Sequence, residues 1–314
     1  MINWISSEEE KSVRKINYDN LKKIITFAKK SKNEMVLYAC EIFDEYRDLI
    51  NRSVNLIKEN ISQNYKSEFI IDGSIKDSDI ILSPSDANAY YTIKELNSDK
   101  KDLTVLCFDM HSDTYDYNDF LWKGNSFSKL MNEGYVTHYV VIGVPINKRQ
   151  EVLNETNPEL ISRVHLIDEE ELIDKLNCID PKNIFVSVDA DCFNSRKARY
   201  TAIEYSPATI LNNISHIKNV DKTNIDKQIC DCIHVKNELG YSNYYQTGEK
   251  NLTVEKVIEI IQEVIQYCNQ QRINIGLFED SPFLQIMEIS GYDYGDLTSE
   301  MVVKLINKFR REAM

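Results

Sequence analysis

Apolar residues recur at three- and four-residue steps through the first sixty positions. Tyr18 to Lys30 sets Leu21, Ile24, Ile25 and Ala28 on one face. Glu34 to Asn60 repeats Ala39, Ile42, Phe43, Tyr46, Ile50, Val54 and Ile57. This spacing predicts a layer of amphipathic helices over the first 62 residues. From Phe69 the period changes. Short β-rich runs appear at Glu68–Ile71, Ile80–Leu82, Leu103–Phe108, Tyr139–Gly143, Val164–Ile167, Ile184–Val188, Gln228–Val235 and Ile273–Phe278. Helix-period segments stand between several of them: Ala87–Leu96, Phe127–Glu133, Glu169–Leu176, Ala208–Ile217 and Val254–Cys268. Ser206 and Pro207 read as the cap and first turn of one of these helices.

Continuously apolar strands bracketed by helices imply a mostly parallel sheet covered on both faces, a three-layer α/β/α arrangement. No internal repeat or Pro/Gly/Ser-rich linker divides the chain. The expected organisation is a helical extension over residues 1–65 packed on one α/β domain over residues 66–314, with an irregular, Tyr-rich stretch from Asn194 to Asn251.

Charge and cysteine usage narrow the classes of function. With 37 Lys+Arg against 50 Asp+Glu, the net charge is −13, which argues against nucleic acid as a partner. The seven Cys are odd in number and scattered, so they form no disulfide framework and suggest a reducing compartment. The polar, acidic start does not read as a secretory leader, and no apolar run reaches the length of a membrane helix. A cytoplasmic protein without membrane partners is expected. No phosphate-binding or dinucleotide fingerprint appears among the nine Gly.

Two of the apolar runs end in dense acidic clusters. Val105-Leu106-Cys107-Phe108 is followed by Asp109-Met110-His111-Ser112-Asp113, and Ile184 to Val188 is followed by Asp189-Ala190-Asp191. Ligands of open α/β sheets bind beyond the carboxyl ends of strands, so both clusters fall at the functional edge. Alternation of side chains along an extended backbone lets Asp109, His111 and Asp113 point to one side, and Asp189 and Asp191 converge likewise. Carboxylates brought together repel unless a cation sits between them. An oxygen-rich set with one imidazole suits Mn2+, with Zn2+ or Fe2+ as other fits.

These residues carry a specific resemblance. Phe108-Asp109-Met110-His111-Ser112-Asp113 and Ser187-Val188-Asp189-Ala190-Asp191 resemble the two signature motifs of the arginase/agmatinase (ureohydrolase) family. Asp113-Thr114-Tyr115 resembles the agmatinase branch. Gly124 and Phe127 fit the family's His-Gly-x-x-Phe, and Val141-Ile142-Gly143-Val144 resembles its next strand. Gly276-Leu277-Phe278-Glu279-Asp280-Ser281-Pro282 resembles the strand whose Glu holds the guanidinium, and Thr298 to Arg311 the C-terminal helix.

The resemblance implies an arginase-like fold and two metal ions per chain, expected as Mn2+. Asp109 and Asp189 would bridge the metals, Asp113 would complete one site, and His111 with Asp191 the other. The implied reaction is hydrolysis of a guanidino C–N bond with release of urea, on a small or peptide-linked guanidino substrate held by Glu279. Relatives are commonly trimers or hexamers, so a homo-oligomer is among the implied partners.

The chain departs from the family at Asp86 and Lys123, in the segment Cys192-Phe193-Asn194-Ser195-Arg196, where a Pro-containing stretch usually follows the second motif, and in a longer spacing from Asp191 to Glu279. Ser83-Pro84-Ser85-Asp86 stands where a Gly-Gly-Asp-His supplies a His ligand, so Asp86 takes that place. Lys123 stands where the family has a proton-handling His before Gly124, and could contact a substrate carboxylate or handle a proton. Asp86 also suits a helix N-cap. Two other readings stay open: a single-metal deacylase on the same sheet, and a degenerate member that binds without catalysis. Cys230-Asp231-Cys232-Ile233-His234 lacks a second ligand pair, and His138, His165 and His216 read as lone structural residues.

Overall fold

The computed structural model describes residues 2–6, 51, 54–60, 69–76, 78, 80–83, 87–115, 121, 123–189, 192, 252–275, 287–290 and 303–307, with single positions 23, 26, 29 and 30. The chain divides into two compact units. One comprises Met1–Ile5, Leu56–Tyr200 and Tyr245–Met314; the other comprises Ser6–Asn55 and Thr201–Tyr244. Most of the second unit lies outside the described residues, as do the expected boundary at 65/66, the strand Gln228–Val235 and the helix Ala208–Ile217.

The first unit is built on one sheet. Its strands are β1 (Ile2–Trp4), β2 (Phe69–Ile71), β3 (Ile80–Leu82), β4 (Thr104–Phe108), β5 (His138–Ile142), β6 (Val164–Ile167), β7 (Asn183–Asp189), β8 (Asn274–Ile275) and β9 (Met287–Ser290). The order across the sheet is β2-β1-β3-β9-β7-β4-β5-β6, with β8 also paired to β7. Every described pairing between these strands is parallel. Parallel neighbours need crossovers, and helices supply them: α1 (Ala87–Leu96), α2 (Ser126–Asn132), α3 (Ile146–Glu155), α4 (Leu172–Ile179) and α5 (Val254–Gln271). This is the three-layer parallel architecture that the alternation of runs implies.

Both faces of the sheet are buried, which explains why its central strands read as unbroken apolar runs. On one face Val105, Cys107, Tyr139, Val141 and Phe185 pack with Ala89 and Ile93 of α1, Phe127 and Leu130 of α2 and Val152 of α3. The opposite parity, Leu106, Phe108, Val140, Ile142, Val186 and Val188, is buried as well. Helix α5 buries Val254, Val257, Ile258, Ile261, Val264 and Cys268 along one stripe, and Tyr267 donates to Asn177 of α4 at 3.1 Å. Thr253 caps α5 by accepting from the Lys256 amide, and Arg272 ends it in the left-handed region at φ 57°.

The sequence places no strand before Phe69, yet Ile2–Trp4 is β1, inserted between β2 and β3. Three residues carry no readable period. What holds β1 is tertiary: Trp4 is fully buried, and Asn3 spends its amide on three hydrogen bonds. Its Nδ2 donates to Ser74 O and Ser78 Oγ, and its Oδ1 accepts from the Gly73 amide. Asn3→Leu strands those partners in the interior. It is expected to lower unfolding free energy by about 2–4 kcal/mol in a denaturant titration. Strand β9 and helix α3 also went unread in the sequence.

The β5–β6 pair carries a titratable contact. His138 and His165 lie on one face of adjacent strands, with His165 Nε2 3.4 Å from His138 Nδ1. Burial pushes His165 down to about 4, with Lys175 and His138 adding to it. Burial also lowers His138, against the opposing pull of Asp102 and with help from Arg163. The unfolded chain, with imidazoles near 6.5, takes up protons that the folded chain refuses. Stability is therefore complete above pH of about 6.5 and declines as pH falls toward about 4. Denaturation midpoints measured across that window should fall with pH, and His165→Gln should flatten the slope.

Candidate metal centre

Strands β4 and β7 are neighbours, and their register sets the site. Cys107 pairs with Ser187 and Phe108 with Val188, so the next residues, Asp109 and Asp189, stand side by side where the strands end. Gly143 follows β5 at the same level, and the Asp109 amide donates to Ile142 O at 3.0 Å.

The chain after Asp109 folds back on itself. The His111 amide donates to Asp109 Oδ1 at 2.6 Å, and the His111 Nδ1 lies 3.6 Å from the same oxygen. Asp113 adopts φ 50°, a left-handed conformation that a short polar side chain tolerates better than most. The result brings Asp109, Asp113 and Asp189 together: one carboxylate oxygen from each lies within 4.8 Å of the others, and all three residues are buried.

A buried hydroxyl network fixes this loop. Thr114 Oγ1 lies 2.7 Å from Ser112 Oγ and 2.9 Å from Thr156 Oγ1, and Thr156 in turn donates to Val152 O in α3. On its other side the loop accepts a second segment: the Tyr115 amide donates to Gly124 O and the Phe127 amide to Asp113 O. The backbone of Lys123, which opens a short 3-10 turn at Lys123–Asn125, is thereby held beside the loop.

Beneath the carboxylates the floor is uncharged. Burial, and then the charge of Asp109, pushes the Cys107 thiol well above its ordinary range. Tyr139, stacked on Phe127 with ring centroids 4.3 Å apart, is raised by burial and by the nearby Cys107, Asp109 and Asp113. Neither side chain can balance the acidic charge above it.

Asp86, Asp191 and Glu279 lie outside the described residues, and for Lys123 only the backbone is described. Sequence reasoning missed Gly143 as a site residue. At φ +125° its absent Cβ would sit 2.5 Å from the Asp109 carbonyl oxygen. The signals available were a lone Gly at the end of an apolar strand and its place in the family-like run Val141-Ile142-Gly143-Val144, and neither hinted at what it faces.

The fold and this cluster define a class: an α/β protein with buried carboxylates at the carboxyl edge of a parallel sheet, in a form that can hold divalent metal. A comparison with family models adds a resemblance over about half of the chain. Residues 50–202 match the model of the Arginase family. That segment, which carries Asp109, His111, Asp113, Asp189 and Asp191, is thus similar to the Arginase family.

Solved structures similar to this chain include three ureohydrolases. The formimidoylglutamase from Bacillus subtilis subsp. subtilis str. 168 is 14% identical, over 84% of this chain and 68% of that one, with a TM-score of 0.43. The agmatine ureohydrolase of Thermoplasma volcanium is 15% identical, over 84% and 70%, at 0.42. Arginase from Bacillus subtilis is 10% identical, over 98% of both chains, at 0.44. The match to arginase from Medicago truncatula spans only 59% of that chain. No curated protein matches this sequence. Among the described residues, no helix is long and apolar enough to cross a membrane.

Proposed function

We propose that this protein is a binuclear, manganese-dependent hydrolase that cleaves a guanidino C–N bond and releases urea. One observation carries the reading: three buried carboxylates from two strand ends converge within 4.8 Å. Such a group is costly without a cation, and its oxygen-rich chemistry, with His111 alongside, fits Mn2+.

In this reading Asp109 and Asp189 would serve both ions, Asp113 would complete one position, and His111 with Asp191 would complete the other. Asp86 takes the place of the usual His, which leaves the site more negative and suits a strongly cationic substrate. Bound there, the ions would supply Lewis acidity for the hydrolysis. The chain's own residues do the rest. Glu279 accepts two hydrogen bonds from the planar guanidinium and orients it. Lys123, on the segment held beside the loop, meets a carboxylate of the substrate or handles the proton that leaves with the amine. The substrate is a guanidino acid or a peptide-linked guanidino group, small enough to reach a buried cluster. The protein works in the cytoplasm, and a homo-oligomer is the assembly proposed.

The test is urea release from a panel of small guanidino compounds, guanidino acids and arginyl peptides, with Mn2+ added. Expected is Mn2+-dependent urea from at least one of them. No urea from any, with Mn2+ demonstrably bound, rejects the reading. Cleavage of acyl-amines with a single Zn2+ per chain replaces it with a deacylase.

A further inference from the structure

Toward the amino ends of the neighbouring strands β5 and β6 lies a pair of groups that the carboxylate site does not use. His138 opens β5, and His165 is the second residue of β6. Val140 pairs with His165, so His138 and His165 are diagonal neighbours on one face of the sheet. Their rings lie nearly parallel, 20° apart, with centroids separated by 5.6 Å. Both are partly exposed. His138 is level with Thr104, five residues before Asp109, and His165 is level with Leu106, three residues before it, so the pair lies about 10–16 Å from the carboxylates along the strand direction.

We propose that His138 and His165 form a second metal site, at the edge of the sheet opposite the carboxylates, which takes an imidazole-seeking ion of the Cu2+, Ni2+ or Zn2+ class and not Mn2+. The spacing carries this. A tetrahedral ion with bonds to nitrogen of about 2.0–2.1 Å holds two nitrogens about 3.3–3.4 Å apart. The facing nitrogens, His165 Nε2 and His138 Nδ1, are already at 3.4 Å, where they share a hydrogen bond that the ion would replace. A sheet supplies rigidity that a loop would not, because the two backbones are locked by ladder pairing. Burial keeps both rings neutral at neutral pH, so binding needs only that the donor ring move its N–H to its other nitrogen, with no imidazolium proton to drive off.

Charge around the pair selects the ion. Lys175 of α4 faces His165, Arg163 faces His138, and Asp102, before β4, opposes them. Two cations against one carboxylate repel an ion held mainly by charge, such as Mn2+, Mg2+ or Ca2+. An ion whose affinity comes from covalent bonding to imidazole overcomes that repulsion. Water completes the coordination. The two sites on the chain thus differ in kind: oxygen-rich and acidic at one edge, nitrogen-only at the other.

The probe is Cu2+, titrated into the full chain and into its Asp109→Asn form. Binding is followed by chelator competition and by electron paramagnetic resonance. Expected is one copper showing hyperfine structure from two nitrogens in both proteins. His138→Gln and His165→Gln should each weaken it by at least about tenfold. Lys175→Gln, which leaves the strand pair untouched, should tighten it by about twofold or more. Binding that survives both His substitutions, that disappears with Asp109→Asn, or that weakens or stays unchanged in Lys175→Gln overturns the proposal. So does Mn2+ displacing the copper at comparable concentration.

Discussion

Asp109→Asn is expected to abolish Mn2+-dependent urea release and most of the protein's stabilisation by metal. The amide keeps Oδ1 as acceptor for the His111 amide, so the loop is not unpinned. What it removes is one negative charge from three carboxylates gathered within 4.8 Å. The metal-free variant should therefore melt higher than the metal-free parent, because like charges no longer crowd one buried site. Adding Mn2+ should raise the melting temperature of the parent, since a ligand that binds only the folded state stabilises it. The variant should show little of that rise, with Mn2+ affinity lowered by at least about a hundredfold. Thermal melts of both proteins, with and without Mn2+, check all three statements. A metal-free variant less stable than its parent would show that the cluster does not carry the repulsion argued for it.

Gly143→Ala is expected to damage the same site without touching a ligand. Two constraints meet at this residue. Its φ of +125° is a conformation that side chains rarely adopt, and its Cβ would fall 2.5 Å from the Asp109 carbonyl oxygen. The obstacle is backbone, locked in turn by the bond from the Asp109 amide to Ile142 O. Either β5 moves or Asp109 does. Folding stability should drop by about 2–4 kcal/mol. Mn2+ affinity should fall by about 10–100-fold even in protein that is fully folded. Calorimetric titration of the refolded variant separates the two effects. Lost stability with Mn2+ affinity intact would mean that the strain relaxes away from Asp109.

Much of the fold was legible from hydrophobic pattern. Ile80–Leu82, Ala87–Leu96 and Val164–Ile167 have the bounds that the sequence suggests, and β4, β5 and β7 differ by a residue or so. These segments carry their own signal, since a strand buried on both faces must be apolar throughout. Strand β1 was not legible because its stability comes from Asn3 and Trp4 fitting between two other strands, not from any local period. The His138–His165 pair was unreadable for a similar reason. Two lone imidazoles separated by a helix and a turn become one feature only when β6 takes its place beside β5.

The sequence by itself determined the chemistry on offer: two apolar runs that end in acid-rich motifs, with carboxylates and a His at alternating positions. It could not say that the runs are adjacent. Asp109 and Asp189 are eighty positions apart in the chain. They meet because β4 and β7 are neighbours in a register that ends both strands at one level. Sheet order is chosen by which buried faces pack together across the whole domain, so a ligand set shared between strands exists only once that packing is complete. The same packing put a glycine against Asp109, and thereby decided which small residue the site cannot do without.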